Sequence, residues 1–345
     1  MSKPIVLITG GNTGIGWETV KALAESDTAF TILMGSRSLD KAKDGIKLIQ
    51  DEIKASSSSS SPSSSKSDIV PIQIDIEDDA SIGKCFDEVK RGYGKVDVLV
   101  NNAGAAYDII ASETPGPKGV REAWDRSYSV NVTSTQVFTQ TFMPLLLAPS
   151  PTGSSTTTPP RLLFITSGLS SLTTCASGHN MGSATTQGTS VPKGWPKPAE
   201  MTAVAYRSSK TALNMMMLDW VRLLNEDGVK VFAISPGFLA TGLGGAGKER
   251  LKSFGAGDAS MGGVFIRDVV LGKRDADAGL VINRAGTQPC PDRCRRLKDD
   301  VGSSHVFVVV ALLIEELSPM VFIGWLEGEE KEEEEEEEKE EEDKL

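Results

Sequence analysis

Short runs of consecutive apolar residues alternate along this chain with longer stretches of helical period. The runs are rich in Val, Ile and Leu and are followed by Gly, Ser, Asn or Asp, which is typical of strands buried on both faces of a parallel sheet. The predicted strands are Ile5 to Ile8, Phe30 to Met34, Ile69 to Asp75, Val96 to Val100, Arg161 to Thr166 and Val229 to Ser235, with Leu280 to Asn283 as a seventh. The predicted helices begin near Ile15 and then cover 39–54, 80–91, 120–147 and 203–226.

This alternation of strands and helices predicts an α/β fold, a doubly wound parallel sheet of about seven strands in a single domain. In such a sheet the ligand lies in the crevice outside the carboxyl ends of the strands. The residues that follow each strand are therefore the first place to look for chemistry.

Three segments break the pattern. Residues 55–67 are almost pure serine and predict an exposed insertion, because so few apolar side chains cannot form a core. Residues 170–202 are rich in Ser, Thr and Gly, and we expect a flap that shapes a substrate pocket. After a domain covering 1–290, residues 291–345 predict a disordered, acidic, low-complexity C-terminal tail.

The net charge of −11 comes from that tail and not from the domain. From Glu327 onward there are 14 of the 47 acidic and three of the 36 basic residues, which leaves 33 of each sign in the rest of the chain. A neutral body has no basic face, so we expect no nucleic-acid partner. The apolar runs of the tail are interrupted by Glu315, Glu316 and Pro319, and they predict no membrane span.

The four cysteines are scattered, and the first strand begins within a few residues of Met1, without room for a signal peptide. We therefore expect reduced thiols and a cytoplasmic protein. Cys290, Cys294 and His305 could be drawn as a metal site, but their spacing is not a standard zinc pattern and the only other histidine is His179. The prediction is no metal.

The first strand leads into a glycine-rich turn, T-G-G-N-T-G-I-G at residues 9–16, and then into a helix. Glycines at 10, 14 and 16 let backbone N–H groups approach a pyrophosphate, and the helix N-terminus offers further donors to the same charge. The spacing is not G-x-G-x-x-G. The alternative to a dinucleotide site is a glycine-rich turn that only allows the helix to pack on the strand.

Ser36 and Arg37 follow the second strand, where an acid would bind the ribose 2′-hydroxyl of NAD. No acid is present, and the planar guanidinium of Arg37 suits a 2′-phosphate, which favours NADP(H). The alternative is an arginine that caps the next helix or lies on the surface.

The fourth strand ends in N-N-A-G at residues 101–104, where small residues allow a cofactor to pass close to the backbone. Asn131 lies inside the long helical segment, either as a satisfied core amide or at a functional kink.

The chemistry is predicted around Y-R-S-S-K at residues 206–210. Tyr206 and Lys210 are four residues apart and therefore share a helical face. A nearby cation favours phenolate, so we expect Lys210 to lower the pKa of Tyr206 and make it a general acid and base. Ser167, at the end of the fifth strand, can offer a second hydroxyl to the same carbonyl oxygen.

Taken in order, T-G-x-x-x-G-x-G, N-N-A-G, the helical Asn, the strand-end Ser, Y-x-x-x-K and P-G-x-x-x-T at residues 236–241 resemble the short-chain dehydrogenase/reductase family. The resemblance covers about residues 3–290. Within the family, the chain resembles fungal NADP-dependent carbonyl reductases, which implies a role in fungal secondary metabolism. It implies a Rossmann-type fold and an NADP-dependent oxidoreductase that reduces a ketone or aldehyde, or oxidises the matching alcohol, by hydride transfer. The expected partner is that small carbonyl or alcohol substrate, and we expect a homo-oligomer, a dimer or a tetramer.

The resemblance also implies roles for single residues. Tyr206 would donate the proton, Ser167 would orient the carbonyl, and Lys210 would lower the pKa of the tyrosine and bind ribose. Asn131 would hold a relay water, and Asp75 would face the adenine. The implied cofactor-binding residues are Gly10, Asn12, Thr13, Gly14, Ile15, Gly16, Ser36, Arg37, Asp75, Asn102, Ala103, Gly104, Tyr206, Lys210, Pro236, Gly237, Leu239 and Thr241.

A second hypothesis belongs to a different class of protein. A dinucleotide-binding regulator or scaffold could keep the same fold and motifs without efficient catalysis, since fold alone does not establish function. Turnover of any ketone with NADPH would distinguish the two.

Overall fold

The computed structural model describes residues 3–56, 66–149, 159–176, 193–194, 203–245 and 247–288. The strands in these ranges are β1 (Ile5–Ile8), β2 (Thr31–Ser36), β3 (Asp68–Gln73), β4 (Val98–Asn101), β5 (Arg161–Ile165), β6 (Lys230–Ser235), β7 (Val281–Asn283) and β8 (Gly286–Thr287). The α-helices are α1 (Gly14–Ala24), α2 (Leu39–Ser56), α3 (Asp79–Tyr93), α4 (Asp108–Glu113), α5 (Pro117–Tyr128), α6 (Ser134–Leu146), α7 (Leu172–Ala176), α8 (Val204–Leu223), α9 (Lys248–Ser253) and α10 (Ser260–Val270).

All of these strands belong to one sheet, in the order β3-β2-β1-β4-β5-β6-β7-β8. Every neighbouring pair is parallel except β7 with β8. The order reverses between β1 and β4, which places a crevice at their carboxyl ends. The predicted doubly wound parallel sheet is confirmed. In addition to the seven predicted strands, the sheet contains the two-residue strand β8 at its edge.

The core consists of two layers, one on each face of the sheet, because successive strand residues point to opposite faces. Leu7, Leu33 and Leu99 belong to one apolar cluster, with side chains from α3, α6 and α8. Val6 and Ile32 belong to the other, with side chains from α1, α2 and α10. Both faces are therefore covered by helices, which explains why the strands are continuous apolar runs rather than alternating ones.

Helix α10 was not predicted from the sequence, since Gly262 and Gly263 weaken a helical pattern. In the structure these glycines permit close packing. A Cβ on Gly263 would lie 2.4 Å from the backbone of Glu18 in α1, and one on Gly262 would lie 2.7 Å from Leu239 Cδ1. Gly263 therefore lets α10 approach α1 closely, and Gly262 lets it approach Leu239.

The predicted long helix over 120–147 is interrupted. α5 and α6 are separated by a π-helical turn, Ser129–Thr133, that contains Asn131. Single π-turns of this kind are frequent at functional sites. The interruption lies at Asn131, where a functional kink was one of the two alternatives considered from the sequence.

Parts of the predicted insertion and flap are visible. Ala55 lies in α2, and Ser67 is buried, with its hydroxyl accepting a hydrogen bond from Phe30 N at 3.0 Å. Ala55 thus extends α2, and Ser67 is bonded to the residue that precedes β2, while the insertion itself stays a prediction. Residues 57–65, most of the flap and all of 289–345, including the predicted tail, lie outside the described residues. No helix in the described ranges is long and apolar enough to span a bilayer.

Candidate active site

The glycine-rich turn connects β1 to α1 and has the shape of a backbone cradle. Gly10 and Gly14 have φ angles of 62° and 55°, a region that favours glycine. A Cβ on Gly16 would lie 2.3 Å from the carbonyl oxygen of Gly10, so only glycine fits there. Thr13 at the N-cap makes no side-chain cap hydrogen bond, which leaves the first N–H groups of α1 available to an anion. Asn12, Thr13 and Ile15 lie in the same turn and are exposed or half-buried.

The N-N-A-G loop is attached to this turn by Thr9. The Thr9 hydroxyl oxygen accepts hydrogen bonds from Asn102 N at 3.1 Å and Ala103 N at 3.0 Å. The Asn102 amide in turn donates to the carbonyls of Thr9, at 2.8 Å, and Gly10, at 3.1 Å. Thr9 was absent from the predicted site residues, although it opens the T-G motif. Its role is to hold the two halves of the cradle together.

The residues predicted to face the adenosine lie at the ends of β2 and β3. Ser36 is buried and its hydroxyl accepts a hydrogen bond from Ser38 N at 3.2 Å, so it shapes the turn. Arg37 is exposed, with no ion-pair partner among the described residues. Asp75 is half-buried, and its carboxylate accepts from Glu77 N at 3.1 Å. Of these three residues, Arg37 has the side chain that is open to a phosphate.

Asn131 joins the π-helical turn to the loop after β4. Its Oδ1 accepts from Ala105 N at 3.0 Å, while Nδ2 donates to Ala105 O at 2.8 Å and to Ser209 Oγ at 3.0 Å. A Cβ on Gly104 would lie 2.7 Å from Asn131 Oδ1 and 3.1 Å from Lys210 Nζ. The last residue of N-N-A-G must therefore be glycine for the Asn131 and Lys210 side chains to keep these positions.

Tyr206, Lys210 and Ser167 meet at the carboxyl end of β5. Tyr206 and Lys210 are both buried on α8, with Lys210 Nζ 5.9 Å from the centre of the Tyr206 ring. Lys210 Nζ donates to the carbonyl of Ile165 at 2.9 Å, and the Ser167 hydroxyl lies near enough to the Tyr206 phenol to lower its pKa. The structure thus brings together a phenol, a hydroxyl and an ammonium.

The pKa values of this group run against the expectation from sequence. Burial raises the pKa of Tyr206 to about 12, the hydrogen bond with Ser167 lowers it, and the charge of Asp108 raises it. Burial also lowers the pKa of Lys210 to about 8. Burial away from water favours the neutral form of both groups, which raises the pKa of the phenol and lowers that of the ammonium. Burial thus shifts the pKa of Tyr206 in the direction opposite to the one expected from Lys210, and the effect of Lys210 on the phenol stays a prediction.

Ser167 is held by a buried polar network that was not predicted. The Ser170 hydroxyl donates to Ser167 O at 2.6 Å and accepts from Asn214 Nδ2 at 2.8 Å and from Gln288 Nε2 at 3.1 Å. Thr166 donates its hydroxyl to Asn214 Oδ1 at 2.7 Å. The network ties the end of β5 to α8 and to the last described residue, Gln288. The one feature of the sequence that pointed to this network was the position of Ser170, a few residues after the end of a predicted strand.

The P-G-x-x-x-T segment lies after β6, opposite the glycine-rich turn. Gly237 has a φ of 111°, and Leu239 is buried and forms a bridge with Gly257. Thr241 accepts a hydrogen bond from Leu243 N at 3.2 Å, and its side chain lies 3.7 Å from where a Cβ of Gly14 would be. Pro236 lies close to α10, 3.3 Å from the position of a Cβ on Gly262. This segment therefore forms the second wall of the crevice.

Within the described part of the chain, no three His, Cys, Asp or Glu side chains are close enough to hold a metal ion. Cys290, Cys294, His179 and His305 lie outside the described residues.

The sequence matches a known protein family. The family model described as short chain dehydrogenase matches residues 4–157. The chain is 46% identical over 278 residues to the short-chain dehydrogenase/reductase eupG of Phoma sp, covering 79% of this chain and 92% of that protein. It is 42% identical over 284 residues to tropE of Talaromyces stipitatus, covering 82% and 96%.

The chain therefore belongs to the short-chain dehydrogenase/reductase family of oxidoreductases, and the family resemblance seen in its motifs is confirmed. Among solved structures, the NADPH-bound carbonyl reductase from chicken fatty liver has the same fold, with a TM-score of 0.61 at 21% identity, covering 84% of this chain and all of that one.

Proposed function

We propose that this protein reduces a ketone or aldehyde with NADPH, and oxidises the matching alcohol in reverse. The observation that carries the proposal is the convergence of Tyr206, Ser167 and Lys210 at the carboxyl end of β5, beside the glycine-rich cradle. This is the edge of the sheet at which a doubly wound fold binds its ligand.

The cradle fits a dinucleotide on structural grounds. The uncapped N-terminus of α1, together with glycines whose missing side chains leave the backbone open, suits a pyrophosphate. Gly104, Lys210 and the segment 236–241 would line the nicotinamide half. A bound nicotinamide supplies the hydride, which the protein itself does not contain.

The protein's own residues supply the proton and the electrostatic support. The Tyr206 phenol donates its proton to the substrate oxygen, and the Ser167 hydroxyl donates a hydrogen bond to the same oxygen. With a pKa of about 8, Lys210 is mostly protonated at neutral pH and stabilises negative charge that develops near the phenol. Asn131 keeps the loop with Gly104 against α8 through its bonds to Ala105 and Ser209.

NADPH rather than NADH is supported by the end of β2. Arg37 is exposed beside the buried Ser36, and neither carries the negative charge that would repel a 2′-phosphate. Charge-assisted contacts from a guanidinium to phosphate are about twice as strong as neutral hydrogen bonds.

The similar proteins from other organisms are what suggests a substrate class. The two proteins described above come from Phoma and Talaromyces, which are fungi, and this supports a carbonyl compound of fungal secondary metabolism. An aromatic or polyketide-like ketone is the first class to test.

The test is a screen of purified protein with NADPH or NADH against aromatic, cyclic and aliphatic ketones and aldehydes, with the product identified by mass. We expect NADPH-dependent reduction of at least one ketone. Tyr206→Phe should keep NADPH binding, measured by fluorescence, and lose turnover by at least 1,000-fold, on the order expected when a proton donor is removed. Tyr93→Phe, a tyrosine at the end of α3, is the matched control and should behave as wild type. Substantial activity in Tyr206→Phe would refute the assignment.

A further inference from the structure

Helix α8, which carries Tyr206 and Lys210, has no cap of its own. Its N-cap position is Ala203, with φ −75° and ψ 48°, and no side chain there accepts a hydrogen bond. The first N–H groups of a helix have no partner within the helix, and a buried one that stays unpaired costs free energy. Tyr206 is the third residue of this helix, so any looseness of the first turn moves the phenol directly.

Asp108 supplies the missing acceptors from a distant part of the chain. Its Oδ1 accepts from Ala205 N at 2.8 Å and its Oδ2 from Tyr206 N at 3.1 Å, across 97 and 98 residues of sequence. The carboxylate also lies at the positive end of the helix dipole, where a negative charge is favourable. Each oxygen of one side chain thus holds one of the first N–H groups of α8.

The same residue connects the catalytic helix to the loop beside the cradle. Asp108 begins α4, four residues after Gly104. Between them, Ala105 is held through both its N–H and its carbonyl by Asn131. The loop therefore contacts α8 at two points, through Asn131 to Ser209 and through Asp108 to the first turn.

We propose that Asp108 is a positioning residue for Tyr206. From the start of α4, just after the N-N-A-G loop, Asp108 caps helix α8 and holds the phenol opposite Ser167. The catalytic part of this proposal rests on the proposed reductase function, while the capping part does not. Asp108 touches neither substrate nor hydride donor in this role and acts only through Tyr206.

The carboxylate also affects the proton that Tyr206 carries. The groups acting on the phenol are Ser167 from the end of β5, Lys210 from α8 itself and Asp108 from α4. A negative charge disfavours phenolate, so Asp108 keeps Tyr206 protonated to higher pH. Removing that charge should lower the pKa of Tyr206.

Three variants separate these effects. Asp108→Ala removes both acceptors and the charge. Asp108→Asn keeps the shape and one acceptor but loses the charge, and it is the variant to rely on should the alanine variant fail to fold. Glu113→Gln is the matched control, since it removes an exposed carboxylate from the other end of α4.

The first measurement needs no substrate. Amide hydrogen exchange at Ala205 and Tyr206 should be at least tenfold faster in Asp108→Ala and unchanged in Glu113→Gln. Tyrosinate absorbance, followed only over the pH range in which circular dichroism shows the native fold, should appear at lower pH in Asp108→Asn. Subtracting the Tyr206→Phe signal isolates one of the four tyrosines.

The second measurement is steady-state reduction of a ketone that the wild type accepts. We expect kcat to fall about tenfold or more in Asp108→Ala and several-fold in Asp108→Asn, with KM for NADPH and ketone within about twofold. A residue that only stabilised the fold would lower the melting temperature without this loss per folded molecule. Unchanged exchange, or kcat equal to that of Glu113→Gln, would overturn the proposal. If the wild type reduces no ketone, the proposed function fails, whereas the exchange and absorbance results still decide the role of Asp108.

Discussion

Gly104→Ala tests whether the geometry around N-N-A-G sets the activity. The new methyl carbon would lie 2.7 Å from Asn131 Oδ1 and 3.1 Å from Lys210 Nζ, whereas ordinary contact begins near 3.4 Å. The Asn131 amide would have to retreat by roughly 0.7 Å. Gly104 has no positive φ, so the effect is one of space and not of backbone strain.

The magnitude follows from what holds Asn131 in place. Its three hydrogen bonds, to both backbone groups of Ala105 and to Ser209, are each worth about 1 kcal/mol. Overpacking a filled site typically costs about 1–3 kcal/mol. We therefore expect the melting temperature to fall by a few degrees. Displacing Lys210 or the loop by a sizeable part of an ångström should lower kcat by about tenfold to 100-fold, because reacting groups tolerate little misplacement.

The assay is thermal unfolding followed by circular dichroism, combined with kcat for a ketone identified in the screen. Gly83→Ala is the control, since a Cβ at that helical position of α3 meets nothing within 4 Å. It should be as active as wild type and slightly more stable, by up to about 1 kcal/mol from helix propensity. A Gly104→Ala protein that melts and turns over like wild type would refute the reasoning, because the clash would then be relieved at no cost.

Two further changes probe the cofactor preference and the network behind Ser167. Arg37→Asp should weaken NADPH binding about tenfold or more relative to NADH, since a phosphate contact of about 1.5–3 kcal/mol becomes repulsion; an unchanged ratio in binding titrations would place the phosphate elsewhere. Ser170→Ala leaves the Asn214 and Gln288 amides without their shared acceptor. We expect a loss of about 1–3 kcal/mol in the free energy of unfolding and several-fold lower kcat, whereas Ser170→Thr, which keeps the hydroxyl, should restore much of both.

Much of the fold was predictable because it depends on neighbours in sequence. Apolar runs become strands and periodic stretches become helices through local geometry, and these determine the doubly wound sheet. The candidate chemistry was equally local: glycines directly after β1, Ser167 directly after β5, and Tyr206 and Lys210 one helical turn apart. The structure brings these residues together, and the roles assigned to them stay predictions.

What only the tertiary structure decided involves residues far apart in the chain. Asp108 reaches α8 across 97 residues, and Gln288 reaches Ser170 across 118, and neither contact leaves a local pattern. Helix α10 contains two glycines that allow close packing, Gly263 against Glu18 of α1 and Gly262 against Leu239. The raised pKa of Tyr206 depends above all on the burial of the phenol in the assembled site, which no local pattern reveals. The sequence determined which groups are present, while burial and distance, which exist only once the chain has folded, decided how those groups act on one another.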